Sequence, residues 1–416
     1  MTVTNLAGQA GLPDPQDAEA SLSPDELIAR ARTLSATLAD EAAHWDARGA
    51  ANLAAFDRIR EHRIGAIRVP VSYGGAGGSI VDVAQAVIAL AHGDSSVAQA
   101  LLPHFVFVER TLLMAGAEQQ ARWLVPVARG ALVGGASAER GAPVRGQVRT
   151  ALRRDGDGFR LNGVKHYSTG ALIGDLLKIT AVGPDGDSVL VVLPPEREGI
   201  VRHDDWTGMG QRGTLSGTTE LIEVRVEAHE VVHTGRWKTE RHHTGAASQI
   251  IHCAIEAGIA RAALDDMARW VRDGVRPVRE SGVVRAADDP YILYTVGRIA
   301  ARVRTAEVLV LRAAARIEAA SEARHGGAPA ARVAQAAAEA SIATAEAKVI
   351  ATEAALDAAR ALFDVGGAST TLRRHRFDRH WRNARTHTVH DPAAYKTRAI
   401  GDYHVNGHPP PIDYGY

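Results

Sequence analysis

The stretch ARTHTVHDPAAYK, residues 384–396, sets His387 and His390 three positions apart and then continues with Asp391-Pro392. At helical spacing both imidazoles share one face. Pro392 disfavours helical geometry at Asp391, so the helix ends about there. Three chemistries use such residues. Two histidines and a carboxylate suit zinc or iron if another element supplies a further ligand, and ERHHTG at 240–245 is the other histidine cluster. A histidine beside an acid can act as a general base or a hydrogen-bond donor. The plainest role is a cap, in which His390 bonds the last helical carbonyls and gains from the helix dipole.

Other motifs narrow the field. Residues 208–213, GMGQRG, spell GxGxxG, but dinucleotide binding needs a strand before the motif and a helix after it. Here HDDWT precedes and the β-like TLSGTTELIEV follows. No Walker sequence occurs, and YGGAGG lacks the lysine that would reach a phosphate. A redox role would therefore rely on electrons delivered from elsewhere. Six arginines and three histidines lie between Arg373 and His387, interleaved with Phe377, Asp378 and Trp381. The formal net charge is zero, so ion pairing or an anionic cofactor group explains this stretch better than nucleic acid does.

These residues need a scaffold. The chain has 416 residues, 46% hydrophobic and 23% charged, the balance of an ordinary globular protein with a sizeable core. Cys253 is the single cysteine, which excludes an internal disulfide and a thiolate metal cluster, and its helix-like surroundings read as core. No uninterrupted apolar run reaches bilayer length, and the N-terminus lacks the basic start and apolar stretch of a signal peptide. A cytoplasmic protein without nucleic-acid or membrane partners is expected.

Residues 1–22 are polar, small and proline-containing, and read as a mobile arm. Ser23-Pro24-Asp25-Glu26 then reads as a capping box with proline at the first helical position. Helical periodicity continues to about 131, with a glycine turn at YGGAGG followed by two helices. Between 132 and 237 the pattern changes to short β-branched runs and close Gly/Asp turns, including a predicted hairpin turn at Asn162-Gly163. Helices return from 238 to 400, among them an Ala-rich one from Ala328 to Phe363 stopped by Gly366-Gly367. A tail occupies 401–416. The class is α+β, in blocks rather than alternating units.

The blocks PVSYGGAGGSIVDVAQAVIALAHGDSSVAQAL, LNGVKHYSTGA, WTGMGQRGTLSGTTELIEVRVEAHEVV and FDVGGAS…WRNARTHTVHDPAAYK resemble the acyl-CoA dehydrogenase family, in that family's order, across nearly all of 23–400. The resemblance implies an N-terminal helical domain, a β-barrel-like middle domain and a C-terminal four-helix bundle that builds a homotetramer. The GxGxxG becomes a turn of the β domain. The dehydrogenases' catalytic glutamate falls on Asp391, one methylene shorter, and Pro392 stands where they have glycine.

The blocks DDWTGMGQRGTLSGTTE, FDRHWRNARTHTVHDPAAYK and VNGHPPP are more similar to the family's flavin monooxygenase branch. That resemblance implies an enzyme that takes reduced FMN from a separate NAD(P)H-dependent flavin reductase. It would form a C4a-hydroperoxyflavin with oxygen and pass one oxygen atom to a small molecule, here an organosulfur compound. It implies FMN contacts at Gly135, Ala136, Ser137, Ala138, Glu139 and Arg140, and at Lys165, His166, Tyr167, Ser168 and Thr169. Arg276, Ala368, Ser369 and His390 complete the set, with His390, Thr169 and His104 implied as catalytic and no metal involved. Gln99 stands where the branch has a histidine, Pro103 where it has a tyrosine, and Gly135 where it has an asparagine. The alternatives are an amine N-hydroxylase or aromatic hydroxylase of the same group, an FAD-linked acyl-CoA dehydrogenase, and a scaffold without flavin.

Overall fold

The computed structural model describes residues 22–141, 146–413 and 415–416, so the arm read at 1–22 falls, but for Leu22, outside the described residues. Ser23 accepts from the Glu26 amide and caps α1 (Pro24–Arg48), with Pro24 in the first turn. Glu26 does not close the capping box and pairs with Arg30 instead. A true capping box, Ser79 with Asp82, starts α3 (Ile80–Gly93) after α2 (Leu53–Glu61). The apolar stretch Ser95–Met114 is long and hydrophobic enough to cross a membrane, but it breaks at Leu101 into α4 (Ser95–Ala100) and α5 (Leu102–Met114) and is mostly buried. Pro103 sits in α5's first turn, where a proline lacks nothing. Helix α6 (Ala117–Ala128) closes the first helical block.

The middle block is a mixed sheet of β1 (Val133–Ala136), β2 (Ala151–Asp155), β3 (Gly158–Lys165), β4 (Leu176–Val182), β5 (Ser188–Leu193), β6 (Ile200–Arg202), β7 (Thr219–Val226) and β8 (Val231–His233). Its order is β6-β7-β3-β2-β4-β5-β8, with β1 parallel to β4 on the edge that β2 also touches. The hairpin expected at Asn162-Gly163 is not there. β3 runs straight through both residues, and the β2–β3 turn lies at Gly156-Asp157. Gly163 instead marks a bulge against β7, where a Cβ would stand 2.2 Å from Thr150 Oγ1.

The bundle follows as α7 (Thr244–Asp273), α8 (Pro290–His325), α9 (Ala330–Gly366), α10 (Asp378–Thr388) and α11 (Ala393–Asn406). The Ala-rich helix thus starts at Ala330 and ends at Gly366, with Gly367 as its cap at φ 66°. The tail expected from 401 begins later, because α11 runs on to Asn406. Small alanines let α7, α8 and α9 approach closely along one apolar core, in which Cys253 is fully buried and its thiol is pushed up to about 12 by that burial.

One residue ties the blocks together. Arg382 on α10 forks onto both carboxylate oxygens of Asp46 in α1, at 2.9 and 2.5 Å, and donates to Met209 O at 2.9 Å. Bidentate geometry with little exposure makes this a strong pair whose breakage strands a charge. Asp46→Ala is expected to lower stability by about 3 kcal/mol, seen as a fall in the urea midpoint. An unchanged midpoint would show that the clamp is not structural.

Candidate active site

Helix α10 ends at Thr388, and the His390 amide donates to His387 O at 3.0 Å in the turn before α11. His387 points inward. Its Nε2 lies 3.2 Å from Nδ1 of His252 on α7, and both rings are buried. His252 in turn stacks on His390, with centroids 4.2 Å apart and an interplanar angle of 29°. The His390 side chain is 50% exposed, and its Nδ1 lies 3.3 Å from Asp391 Oδ2. Burial works to raise the Asp391 carboxyl, but His390, then Lys396 and Gln249, outweigh it and hold the group well below the usual carboxylate range.

A charge pair lies deeper still. Glu256, one helical turn from His252, pairs with Lys348 of α9 and accepts from Thr352 Oγ1 at 2.8 Å, with both charged side chains fully buried. His387 Nε2 is 3.9 Å from Glu256 Oε1. Burial, then the His390 ring, pushes the His252 imidazole well below the ordinary histidine value, and burial, then Lys348, does so for His387. Both rings are therefore neutral at pH 7.

The β domain presents the other half. Thr169 Oγ1 and Ser216 Oγ are 2.8 Å apart, as are Ser216 Oγ and Thr214 Oγ1. Thr214 donates to Gln211 O at 3.0 Å, and the Gln211 amide donates to Asn383 Oδ1 at 2.7 Å. That path ends on α10, one turn before His387. The GxGxxG decoy is thus a loop docked on α10, with the Gly210 amide bonded to Thr386 Oγ1 at 3.1 Å. A Cβ on Gly210 would stand 2.1 Å from Arg382 O, so only glycine permits this approach.

The implied cofactor segments lie side by side, through Gly135 N to Thr169 O at 2.9 Å and His166 N to Ala138 O at 2.8 Å. Tyr167 holds a left-handed conformation, φ 56°, with Arg140 4.8 Å over its ring and Trp206 edge-on at 6.0 Å. Such strain in a non-glycine residue is common where a chain clamps a ligand. Ser137 Oγ, Ser168 Oγ and both amide atoms of Gln211 are buried without a hydrogen-bond partner. Unsatisfied buried polar atoms of this kind suit the ring edge of a flavin, and the Arg140 guanidinium suits an anionic group. The residues present fit FMN.

Several implied roles change. His104 is fully buried, with Nε2 2.9 Å from Gly65 O and Nδ1 accepting from Val133 N at 3.2 Å. Both nitrogens serve the backbone, so His104 joins α5 to β1 and has neither nitrogen turned to a substrate in this structure. Lys165 and Glu139 also meet each other, at 2.7 Å and nearly without exposure, so their charges are engaged with one another. Ala136 packs inside the sheet core. Arg276, Ala368 and Ser369 are exposed at the far end of α7, where Trp270 Nε1 donates to Gly366 O at 3.2 Å. Eighteen residues of helix, about 27 Å, separate Trp270 from His252. His242 bonds Trp237 O and His243 bonds Glu109, and no group of three or more potential metal ligands occurs among the described residues. Local sequence does not single out His252, because a histidine in an apolar helix reads as core. The i,i+4 pair His252/Glu256 on the opposing helix was the available signal.

Two family models match, acyl-CoA dehydrogenase, N-terminal domain, over residues 25–131 and acyl-CoA dehydrogenase, C-terminal domain, over 250–394. The chain belongs to the acyl-CoA dehydrogenase family. Within it the chain is similar to dibenzothiophene monooxygenase of Mycolicibacterium goodii, 31% identical over 84% of this chain and 86% of that protein. It is also similar to a probable FMNH2-dependent monooxygenase, SfnC of Pseudomonas putida, 30% identical over 94% and 97%. Among solved structures, TdsC of Paenibacillus sp. A11-2 with FMN and indole superposes with a TM-score of 0.88 at 29% identity, covering 94% of this chain and 99% of that one.

The Glu139–Lys165 pair has a pH signature. Burial works to raise the Glu139 carboxyl, but Lys165 and the Thr150 and Arg149 amides outweigh it and hold it down at about 2, against 4.5 unperturbed. A depressed carboxylate contributes stability above its unfolded value and loses it as pH falls from about 4.5 to about 2. Glu139→Gln should therefore be less stable at pH 7 and lose stability less steeply in that window, as read from urea midpoints. Equal slopes would contradict the pairing.

Proposed function

We propose that this chain is an FMNH2-dependent monooxygenase that transfers one oxygen atom from O2 to an organosulfur compound. A separate NAD(P)H-dependent reductase supplies the reduced flavin, and the cytoplasm is where such a supply exists. The observation that carries the reading is the bonded path from Thr169 through Ser216, Thr214 and Gln211 to Asn383 on α10, the helix that leads into the His390–Asp391 turn. The monooxygenase relatives support the same chemistry.

When bound, reduced FMN reacts with O2 and supplies the transferred oxygen; the protein contributes position and electrostatics. Ser137, Ser168, Thr169 and Gln211 would hold the ring edge, and Arg140 an anionic group. Asp391 Oδ2 lies 3.3 Å from His390 Nδ1, and the His390 imidazole is the group that would hold or move a proton. The Thr169 hydroxyl, coupled to Ser216, would supply a further donor to the flavin. The dehydrogenase alternative needs a carboxylate aimed at substrate. Asp391 is instead 16% exposed and turned onto His390, and Pro392 caps α11 beside it.

Arg276 follows the far end of α7, and Ala368 and Ser369 follow the end of α9 beside it, too far from His390 to touch a flavin there in the same chain. They complete the site of another copy, and the assembly is a homotetramer. The chain after Arg276 exposes Val278, Val284, Tyr291 and Tyr294, an apolar strip suited to such a contact. Light scattering at micromolar concentration should give about four chains' mass; a monomer contradicts this.

Reduced FMN, oxygen and a panel of sulfides, sulfones, amines and phenols test the activity. Product is expected from a sulfur compound, with no NADH oxidation until a reductase is added. Tightly held FAD bleached by an acyl-CoA would sink the reading. His390→Ala should keep the fold and cut product about a hundredfold, the typical cost of one positioned donor. Hydrogen peroxide per flavin consumed should hold or rise. Product at the native rate would remove His390 from the chemistry.

A further inference from the structure

His390 sits on a short turn beyond α10, half exposed, where an imidazole alone would sample several rotamers. Two contacts oppose that freedom. Asp391 takes the Nδ1 edge, and His252 lies under the ring face at 4.2 Å. His252 is itself bonded by His387, which in turn faces the Glu256–Lys348 pair. Four ionisable side chains in a helical core are a poor stability device, because apolar residues of similar volume usually do as well or better.

We propose that His252 is a positioning residue for His390, a flat neutral platform whose own orientation is fixed by the chain His387–Glu256–Lys348. The chemistry supports this. His387 Nε2 and His252 Nδ1 are 3.2 Å apart, so one imidazole donates to the other and the pair is held in a single complementary set of tautomers. One tautomer means one ring orientation. With its face on His252 and its Nδ1 edge on Asp391, the His390 ring is held in one orientation. The charged and titratable groups around His252 are His387, His390 and Asp391 from α10 and its turn, Glu256 from α7, Lys348 from α9 and Lys396 from α11. Burial together with these cations keeps His252 neutral, so the platform does not repel a proton arriving on His390. The inference rests on the monooxygenase reading for its consequence, not for its geometry.

The test uses His252→Ala, His252→Leu, which fills the volume without a flat face, and His252→Phe, which restores one. The first readout needs no flavin: the rate at which diethyl pyrocarbonate modifies His390 in the ligand-free protein, followed by peptide mass mapping. Leu and Ala should raise that rate at least threefold, and Phe should stay within twofold of native. The second readout is turnover with reduced FMN. Leu and Ala should lower kcat at least tenfold with KM changed less than threefold, and Phe should recover most of the loss. Should the Ala variant fail to fold, the Leu–Phe pair decides. Equal His390 reactivity in the native, Leu and Phe proteins overturns the proposal. If no substrate is oxidised by native protein but His390 reactivity still separates Leu from Phe, the activity reading fails and the positioning role stands.

Discussion

The two-pronged bond between Arg382 and Asp46 is the constraint on which the site depends. It joins residues 336 positions apart, and the same guanidinium holds Met209 O and Asp378. Three bodies meet there: the first helix, the β-domain loop and α10. With α10 held, Asn383 and Thr386 can bind the loop, the loop can bind Thr214, and the hydroxyl chain to Thr169 closes. An arginine suits this better than a lysine, because its planar fork satisfies a carboxylate and a carbonyl in fixed directions.

Helix α7 is the second organising element. It carries His252 and Glu256 near its start and Trp270 near its end, so one rigid rod fixes both the histidine cluster and the distant exposed segments. Rigidity over that length comes from close packing on α8 and α9 through alanine faces. The buried charges sit in the same interface. Their penalty is offset only because Lys348, Glu256, Thr352, His387 and His252 satisfy one another.

The fold alone does not separate a dehydrogenase from a monooxygenase, since both chemistries are grafted on the same three blocks. The difference lies in a few residues after α10. Asp391 is drawn inward by His390, Gln249 and Lys396, and Pro392 begins the next helix, so the acid serves the histidine rather than a substrate. His390 becomes the group that faces outward.

Much of this was written in local sequence. Periodicity and glycine placement determined the helix–sheet–helix order, and the residues around GxGxxG already argued against a dinucleotide site. The His387/His390 spacing, with Pro392 after it, determined that a histidine would stand at a helix end. Other features depended on partners far along the chain. Asn162-Gly163 has the local chemistry of a hairpin turn, but pairing with β7 pulls it into a continuous strand with a bulge. His104 and Lys165 have functional residue types, yet their neighbours Gly65, Val133 and Glu139 use every nitrogen they offer. His252, in an apolar helix, has the local signature of core, yet it lies under the half-exposed His390. Side-chain type and spacing thus determine what a residue can do within one or two turns. Whether its polar atoms are consumed or left open is decided by tertiary contacts, because a buried donor or acceptor must be satisfied by whatever the fold brings beside it.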